Sequence, residues 1–112
     1  MSDGTPSDQL KAAKMRMGAF AKSAPDLMKG FAAVSAAATK AGHFSAADRE
    51  LLAVSIAVAT RCEDCILYHV EAAKRHGADE ASLIEALEVA VEMGGGPAVM
   101  YAGKALEAFR AL

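Results

Sequence analysis

The residues of this chain that could do chemistry are concentrated in one short segment, residues 61–69, with the sequence RCEDCILYH. The segment holds the only two cysteines, Cys62 and Cys65, and a histidine, His69, four residues past the second cysteine. On a helix these three positions share one face, because residues three, four and seven apart are neighbours. Two thiols that can close a disulfide, beside an imidazole that can carry a proton, are the components of a dithiol redox centre.

The reactive form of a thiol is the thiolate, so the surroundings must favour the anion. If Thr60 is the N-cap of a helix, Cys62 lies in its first turn, near the positive end of the helix dipole. Cys65 lies deeper but one turn from His69, whereas His69 is about 10 Å along the axis from Cys62. We therefore predict that Cys65 is the nucleophile, activated through His69, and that Cys62 is the resolving thiol. The opposite assignment, with Cys62 attacking, stays open.

Glu50 is a candidate for the group that orients His69, because a histidine that accepts a proton commonly has a third partner. If the helix ending near Ala59 reverses at Thr60, residue 50 comes within about one turn of His69 in height. In a continuous helix the two residues would be roughly 28 Å apart. The role of Glu50 thus depends on a reversal of the chain. Its apolar neighbours suggest a partly buried carboxylate, which favours a role as a base.

Helix signals dominate the chain around these residues. We predict helices over Leu10–Ala21, from Ser23-Ala24-Pro25-Asp26 to near Gly42, from Ser45 to about Ala59, from Thr60 to about His76, from Asp79 to the glycines at 94–96, and from Pro97 onward. Val54, Ile56 and Val58 alternate as in a strand, but no second strand is evident to pair with them. We expect an all-α fold of about six helices rather than a thioredoxin-like fold.

Length and composition narrow the class of protein. A chain of 112 residues predicts a single domain over 1–112, and the polar residues 1–9 are expected to form a mobile N-terminus. With 12 basic and 14 acidic side chains, nothing supports nucleic-acid binding. No signal peptide and no apolar stretch long enough to span a bilayer is evident, so we expect a cytoplasmic protein that does not enter membranes. In that compartment a lone C-x-x-C is more typical of catalysis or metal binding than of a structural disulfide.

With Glu50 included, the pattern resembles the core motif of the alkylhydroperoxidase D-like branch of the carboxymuconolactone decarboxylase family. That motif is a glutamate, eleven residues, a cysteine, two residues, a cysteine, three residues and a histidine. Glu50, Cys62, Cys65 and His69 match it at every spacing. The similarity covers roughly residues 25–110, including the apolar helix before the cysteines and the glycine-rich break before the last helix.

The resemblance implies an all-helical fold that assembles as a homo-oligomer, usually a trimer or hexamer, with thiol-dependent peroxidase or disulfide reductase activity. By position it makes Cys65 the nucleophile, Cys62 the resolving thiol, His69 the proton relay and Glu50 the base behind it. The implied partners are a hydroperoxide substrate and a dithiol reductant or redox protein, and no cofactor or metal is expected. A chain with the length of a single repeat would need oligomerisation to complete its core.

One position departs from the best-known peroxidases of that branch, which carry a second histidine where this chain has Asp64. A negative charge beside the thiols disfavours thiolate formation, so we expect weaker peroxidase activity or a simpler relay. Other interpretations stay open. The cysteines could be inert, or could bind zinc together with His69 and Glu50. The chain could also be a lactone decarboxylase whose cysteines are incidental, or a non-enzymatic redox-sensing module.

Overall fold

The computed structural model describes residues 4–112, which form six α-helices and no strand. The helices are α1 (Pro6–Ser23), α2 (Pro25–Thr39), α3 (Ala46–Thr60), α4 (Glu63–Arg75), α5 (Glu80–Gly94) and α6 (Gly96–Ala111). The predicted all-α class is therefore confirmed, and the alternating apolar residues 54–58 are helical. None of the described helices is long and apolar enough to cross a membrane.

Helix α1 begins four residues before the predicted start at Leu10. The reason is a reciprocal capping box, in which Thr5 Oγ1 accepts from the Asp8 N–H at 3.1 Å and the Thr5 N–H donates to Asp8 Oδ2 at 3.2 Å. Pro6 fits the first helical position, because an N–H at that position would have no partner within the helix. Of the polar N-terminus expected over 1–9, residues 6–9 are therefore helical, and residues 1–3 lie outside the described residues.

The chain reverses between α3 and α4, as the interpretation of Glu50 required. Arg61 ends α3 with left-handed backbone angles, φ 63° and ψ 42°. Its N–H donates to the Val58 carbonyl at 3.2 Å, and the Cys62 N–H donates to the Ala57 carbonyl at 3.0 Å. These bonds satisfy carbonyls at the end of α3 and turn the chain in two residues, so α4 packs back along α3.

The predicted N-cap at Thr60 is wrong. The Thr60 hydroxyl donates back to the Ile56 carbonyl at 2.8 Å, within its own helix, and so is not available to α4. Cys62 is the N-cap of α4 instead, and its Sγ accepts from the Cys65 N–H at 3.2 Å. The α4 helix consequently starts with Glu63 rather than with Arg61.

The hydrophobic core lies between α3, α4, α5 and α6. Its largest fully buried side chains are Val54, Val58, Ile66, Val70 and Leu83. Each such side chain contributes about 1.5–3 kcal/mol by its burial. The α3 and α4 residues of this group hold the two helices side by side, and that packing fixes the height at which Glu50 faces α4.

Two glycines shape the corner between α5 and α6. A Cβ on Gly94 would lie 2.7 Å from the Ala98 Cβ, so glycine at this position allows the close approach of the start of α6. Gly95 has φ 73°, a conformation that residues with a side chain rarely adopt. The glycine-rich break predicted before the last helix is thus confirmed.

Helix α2 lies at the edge of the fold and has no buried residue. Its apolar side chains Leu27, Phe31 and Val34 are 59–64% exposed, although they share one face of the helix. Its C-terminal end is hydrogen-bonded to α3 through Arg49, whose guanidinium donates to the Ala38 carbonyl at 3.0 Å.

Candidate active site

Glu50 and His69 form a hydrogen-bonded pair across the α3–α4 interface. Glu50 Oε1 lies 2.6 Å from His69 Nδ1. The carboxylate is 5% exposed and is the one buried charged residue described, whereas the histidine side chain is 24% exposed. In the neutral imidazole this contact assigns the proton to Nδ1, which donates to the carboxylate, and leaves Nε2 as a free acceptor. The partly exposed histidine can therefore receive a proton that the buried carboxylate stabilises.

The two cysteines form a disulfide at the start of α4, with Cα atoms 5.2 Å apart. Cys62 stands at the N-cap, where its sulfur accepts a backbone N–H and faces the positive end of the helix. Cys65 is half-buried and packs against the hydrophobic core. Both sulfurs thus lie at the end of α4 where a developing negative charge is stabilised.

His69 follows Cys65 by one helical turn, so their side chains project from the same face of α4. The ring of Tyr68 meets the His69 ring edge to face, with centroids 5.2 Å apart. Tyr68 is itself 39% exposed, so part of its side chain lies at the surface next to the histidine. The structure therefore groups the four predicted residues at one place, with Glu50 behind His69 and the disulfide one turn away. Their catalytic roles stay predictions.

Sequence reasoning missed two cations that contact the segment between the cysteines. Arg16 of α1 reaches the Asp64 carboxylate, with Nη2 3.2 Å from Oδ1 and 3.0 Å from Oδ2. Lys104 of α6 reaches Glu63 Oε1 at 2.8 Å, and this contact raises the pKa of the lysine above its ordinary value. No local signal could have found either cation, because they lie more than forty residues away in sequence.

With the cysteines joined in a disulfide, the described residues provide no preformed set of ligands for a zinc ion. Within residues 4–112, no group of three or more histidine, cysteine, aspartate or glutamate side chains is arranged to hold a metal ion. The two sulfurs are bonded to each other, and His69 Nδ1 is taken by Glu50.

Fold and site together define a helical protein with a C-x-x-C disulfide beside a buried glutamate–histidine pair. A family model described as the carboxymuconolactone decarboxylase family matches residues 25–108. The chain belongs to the carboxymuconolactone decarboxylase family.

The chain is also similar to uncharacterized bacterial proteins and to a solved structure of the same family. An uncharacterized protein of Cupriavidus necator is 46% identical over 97 residues, which cover 87% of this chain and 86% of the relative. An uncharacterized protein of the cox locus of Paracoccus denitrificans is 34% identical over 94 residues, covering 84% and 85%. The crystal structure of an apo carboxymuconolactone decarboxylase family protein from Legionella pneumophila superposes with a TM-score of 0.89, at 41% identity and 94% coverage of both chains.

Proposed function

We propose that the protein is a cytoplasmic thiol-dependent peroxidase that reduces hydroperoxides through the Cys62–Cys65 pair. The observation that carries the proposal is the 2.6 Å contact between the buried Glu50 and His69, one turn from Cys65. A buried carboxylate that orients an imidazole next to a thiol is the arrangement that general-base activation of a nucleophile needs. The family membership supports the same chemistry through the matched motif.

In the first step His69 Nε2 takes the proton of the Cys65 thiol, and Glu50 stabilises the imidazolium through Nδ1–H. The thiolate attacks the terminal oxygen of the hydroperoxide, so the O–O bond breaks and an S–O bond forms. The leaving alkoxide takes up the proton from His69 and departs as an alcohol. Cys65 becomes a sulfenic acid, oxidised by two electrons, and the peroxide is reduced by two.

In the second step the Cys62 thiol attacks the sulfenic sulfur of Cys65. The S–S bond forms, the S–O bond breaks, and the hydroxyl leaves as water after taking the thiol proton. An external dithiol then reduces the disulfide by exchange and is itself oxidised. The N-cap position suits Cys62 for this exchange, because the Cys65 N–H stabilises the sulfur as it leaves as a thiolate.

Consumption of an organic hydroperoxide in the presence of dithiothreitol tests the proposal. We expect turnover by the parent and loss of turnover in Cys65→Ser. A Cys65→Ser protein as active as the parent would end the proposal. To decide between the two cysteines, the reduced protein is treated with substoichiometric iodoacetamide and its peptides are mapped. Preferential labelling of Cys62 would reverse the assignment of nucleophile and resolving thiol.

The family name supports a second candidate, decarboxylation of a small lactone. That reaction does not need the cysteine pair, so a protein lacking both thiols would keep full lactone decarboxylase activity. The peroxidase and the decarboxylase are therefore separated by one double variant, Cys62→Ser with Cys65→Ser, assayed with both classes of substrate.

We also propose that the protein is a homo-oligomer, a trimer or hexamer, in which α2 contacts a second copy. The support is the exposed apolar face of α2, since a helix without buried residues has little to hold it on a monomer. Light scattering after size exclusion should show an assembly for the parent and a smaller species for Phe31→Asp. The matched control is Lys29→Asp on the same helix, which should leave the assembly intact. A monomeric parent would contradict the proposal.

A further inference from the structure

The segment between the two cysteines carries two acidic residues, Glu63 and Asp64, which are the first two residues of α4. Each is the direct chain neighbour of a cysteine, and charges closer than about 10 Å interact appreciably at ordinary ionic strength. An uncompensated carboxylate at this distance opposes formation of a thiolate. The two intervening carboxylates therefore act against the stabilisation that the start of α4 gives to a thiolate.

Both carboxylates are paired with cations that come from other helices. Asp64 is held by Arg16 of α1, whose Nη2 lies 3.2 and 3.0 Å from the two carboxylate oxygens. Glu63 is held by Lys104 of α6 at 2.8 Å. Arg16, Glu63 and Asp64 also line one shallow groove between α1 and α4, with a volume of about 370 Å³.

We propose that Arg16 and Lys104 are positioning residues that offset the charges of Asp64 and Glu63, so that the reduced cysteine pair can form its thiolate. Arg16 places a positive charge directly beside Asp64. We expect Arg16 to affect mainly Cys65, because its partner Asp64 directly precedes that cysteine, and Lys104 to affect mainly Cys62, because its partner Glu63 directly follows that one. The inference rests on the proposed function only in taking the thiolate as the reactive species.

Loss of one of these ion pairs should change the free energy of unfolding little, so an effect on the cysteines can be measured without a change in folding. The side chains of Arg16 and Asp64 are 63% and 56% exposed, and pairs this exposed typically add little stability. Arg110 offers a matched control. It is 61% exposed and pairs with Glu80 Oε1 at 2.9 Å, but Glu80 belongs to α5 and not to the cysteine segment.

The test is the pH dependence of iodoacetamide alkylation of the reduced full-length protein, with the labelled cysteine identified by mass spectrometry. For Arg16→Ala we expect alkylation at pH 7 to slow about two- to threefold, the effect of a unit charge about 7 Å away in a water-like medium. The midpoint of the pH profile should move to higher pH. Asp64→Asn should make alkylation at pH 7 faster and move the midpoint to lower pH. Arg110→Ala should match the parent in both quantities. High salt should shrink the differences.

A double variant, Arg16→Ala with Asp64→Asn, tests whether the two charges offset each other. Because one positive and one negative charge are then removed together, its alkylation profile should return close to that of the parent, and a double variant as slow as Arg16→Ala would overturn the inference. So would an Arg16→Ala profile identical to that of Arg110→Ala. If Arg16→Ala does not fold, the test rests on Asp64→Asn, because asparagine has nearly the shape of aspartate. An alkylation profile of Asp64→Asn identical to that of the parent would overturn the inference. If these variants leave the alkylation profile unchanged while peroxide turnover still requires Cys65, this inference is rejected and the proposed function is retained.

Discussion

Replacing Glu50 by glutamine tests the glutamate–histidine pair with the least disturbance of shape. Glutamine has the size of glutamate and can still accept the Nδ1–H of His69, but it carries no charge to stabilise an imidazolium. The effect should be large because the carboxylate is 5% exposed and 2.6 Å from the ring, so water provides little screening. We expect hydroperoxide reduction to fall about 100-fold, the lower end of the range for a positioned proton-transfer group.

The same change should cost little stability. A hydrogen bond to a charged partner contributes more than a neutral one, and the difference here is about 1 kcal/mol. For a chain of this size that lowers Tm by about 5 °C. A loss of activity near 100-fold with a Tm change this small separates a chemical role from a structural one.

The assay is stopped-flow consumption of an organic hydroperoxide by the prereduced protein, with alkylation of Cys65 at several pH values as a substrate-independent readout. Glu71→Gln is the control, because Glu71 lies on α4, the helix of His69, and pairs with Lys14 at 2.8 Å rather than with His69. A Glu50→Gln protein that is folded and as fast as Glu71→Gln would refute the role of the pair.

Three further predictions concern stability. Gly95→Ala should destabilise the fold by about 1–3 kcal/mol in urea unfolding, since φ 73° with ψ −155° is a conformation that essentially only glycine adopts, and no loss would show that the corner relaxes. Gly103→Ala, in the interior of α6 with open space around it, should instead stabilise by about 0.5–1 kcal/mol in the same assay. The Ser82 N–H lowers the pKa of Asp79 below its ordinary value. The ionised Asp79 therefore stabilises the fold above its unfolded pKa, and this stabilisation is lost as the pH falls through the folded pKa. Asp79→Asn should accordingly flatten the acid limb of a Tm–pH curve.

The sequence predicts the site well where the information is local. The spacing of Cys62, Cys65 and His69 along one helix needs only the helical repeat, and the helix start signals at Ser45 and Asp79 correspond to caps in the structure. The reversal that brings Glu50 to His69 does not follow from the sequence, because it is produced by the left-handed backbone of Arg61, for which the sequence carries no local signal.

The sequence predicts poorly where two local bonds compete or where the partner is distant. Thr60 carries a capping-box pattern, but its hydroxyl bonds to the carbonyl of Ile56 in the preceding helix, and Cys62 caps α4. Arg16 and Lys104 approach the cysteine segment from the two ends of the chain through tertiary packing of α1 and α6. Neither contact has a local pattern from which it could have been inferred.

The central claim is that Cys62 and Cys65 form a redox pair that cycles between dithiol and disulfide at the expense of a peroxide. Thiol titration of the fully reduced protein, before and after one equivalent of hydroperoxide per chain, tests this most directly. The account predicts that both thiols disappear together and that mass spectrometry finds an intramolecular Cys62–Cys65 disulfide. Two thiols that persist in excess hydroperoxide would contradict it.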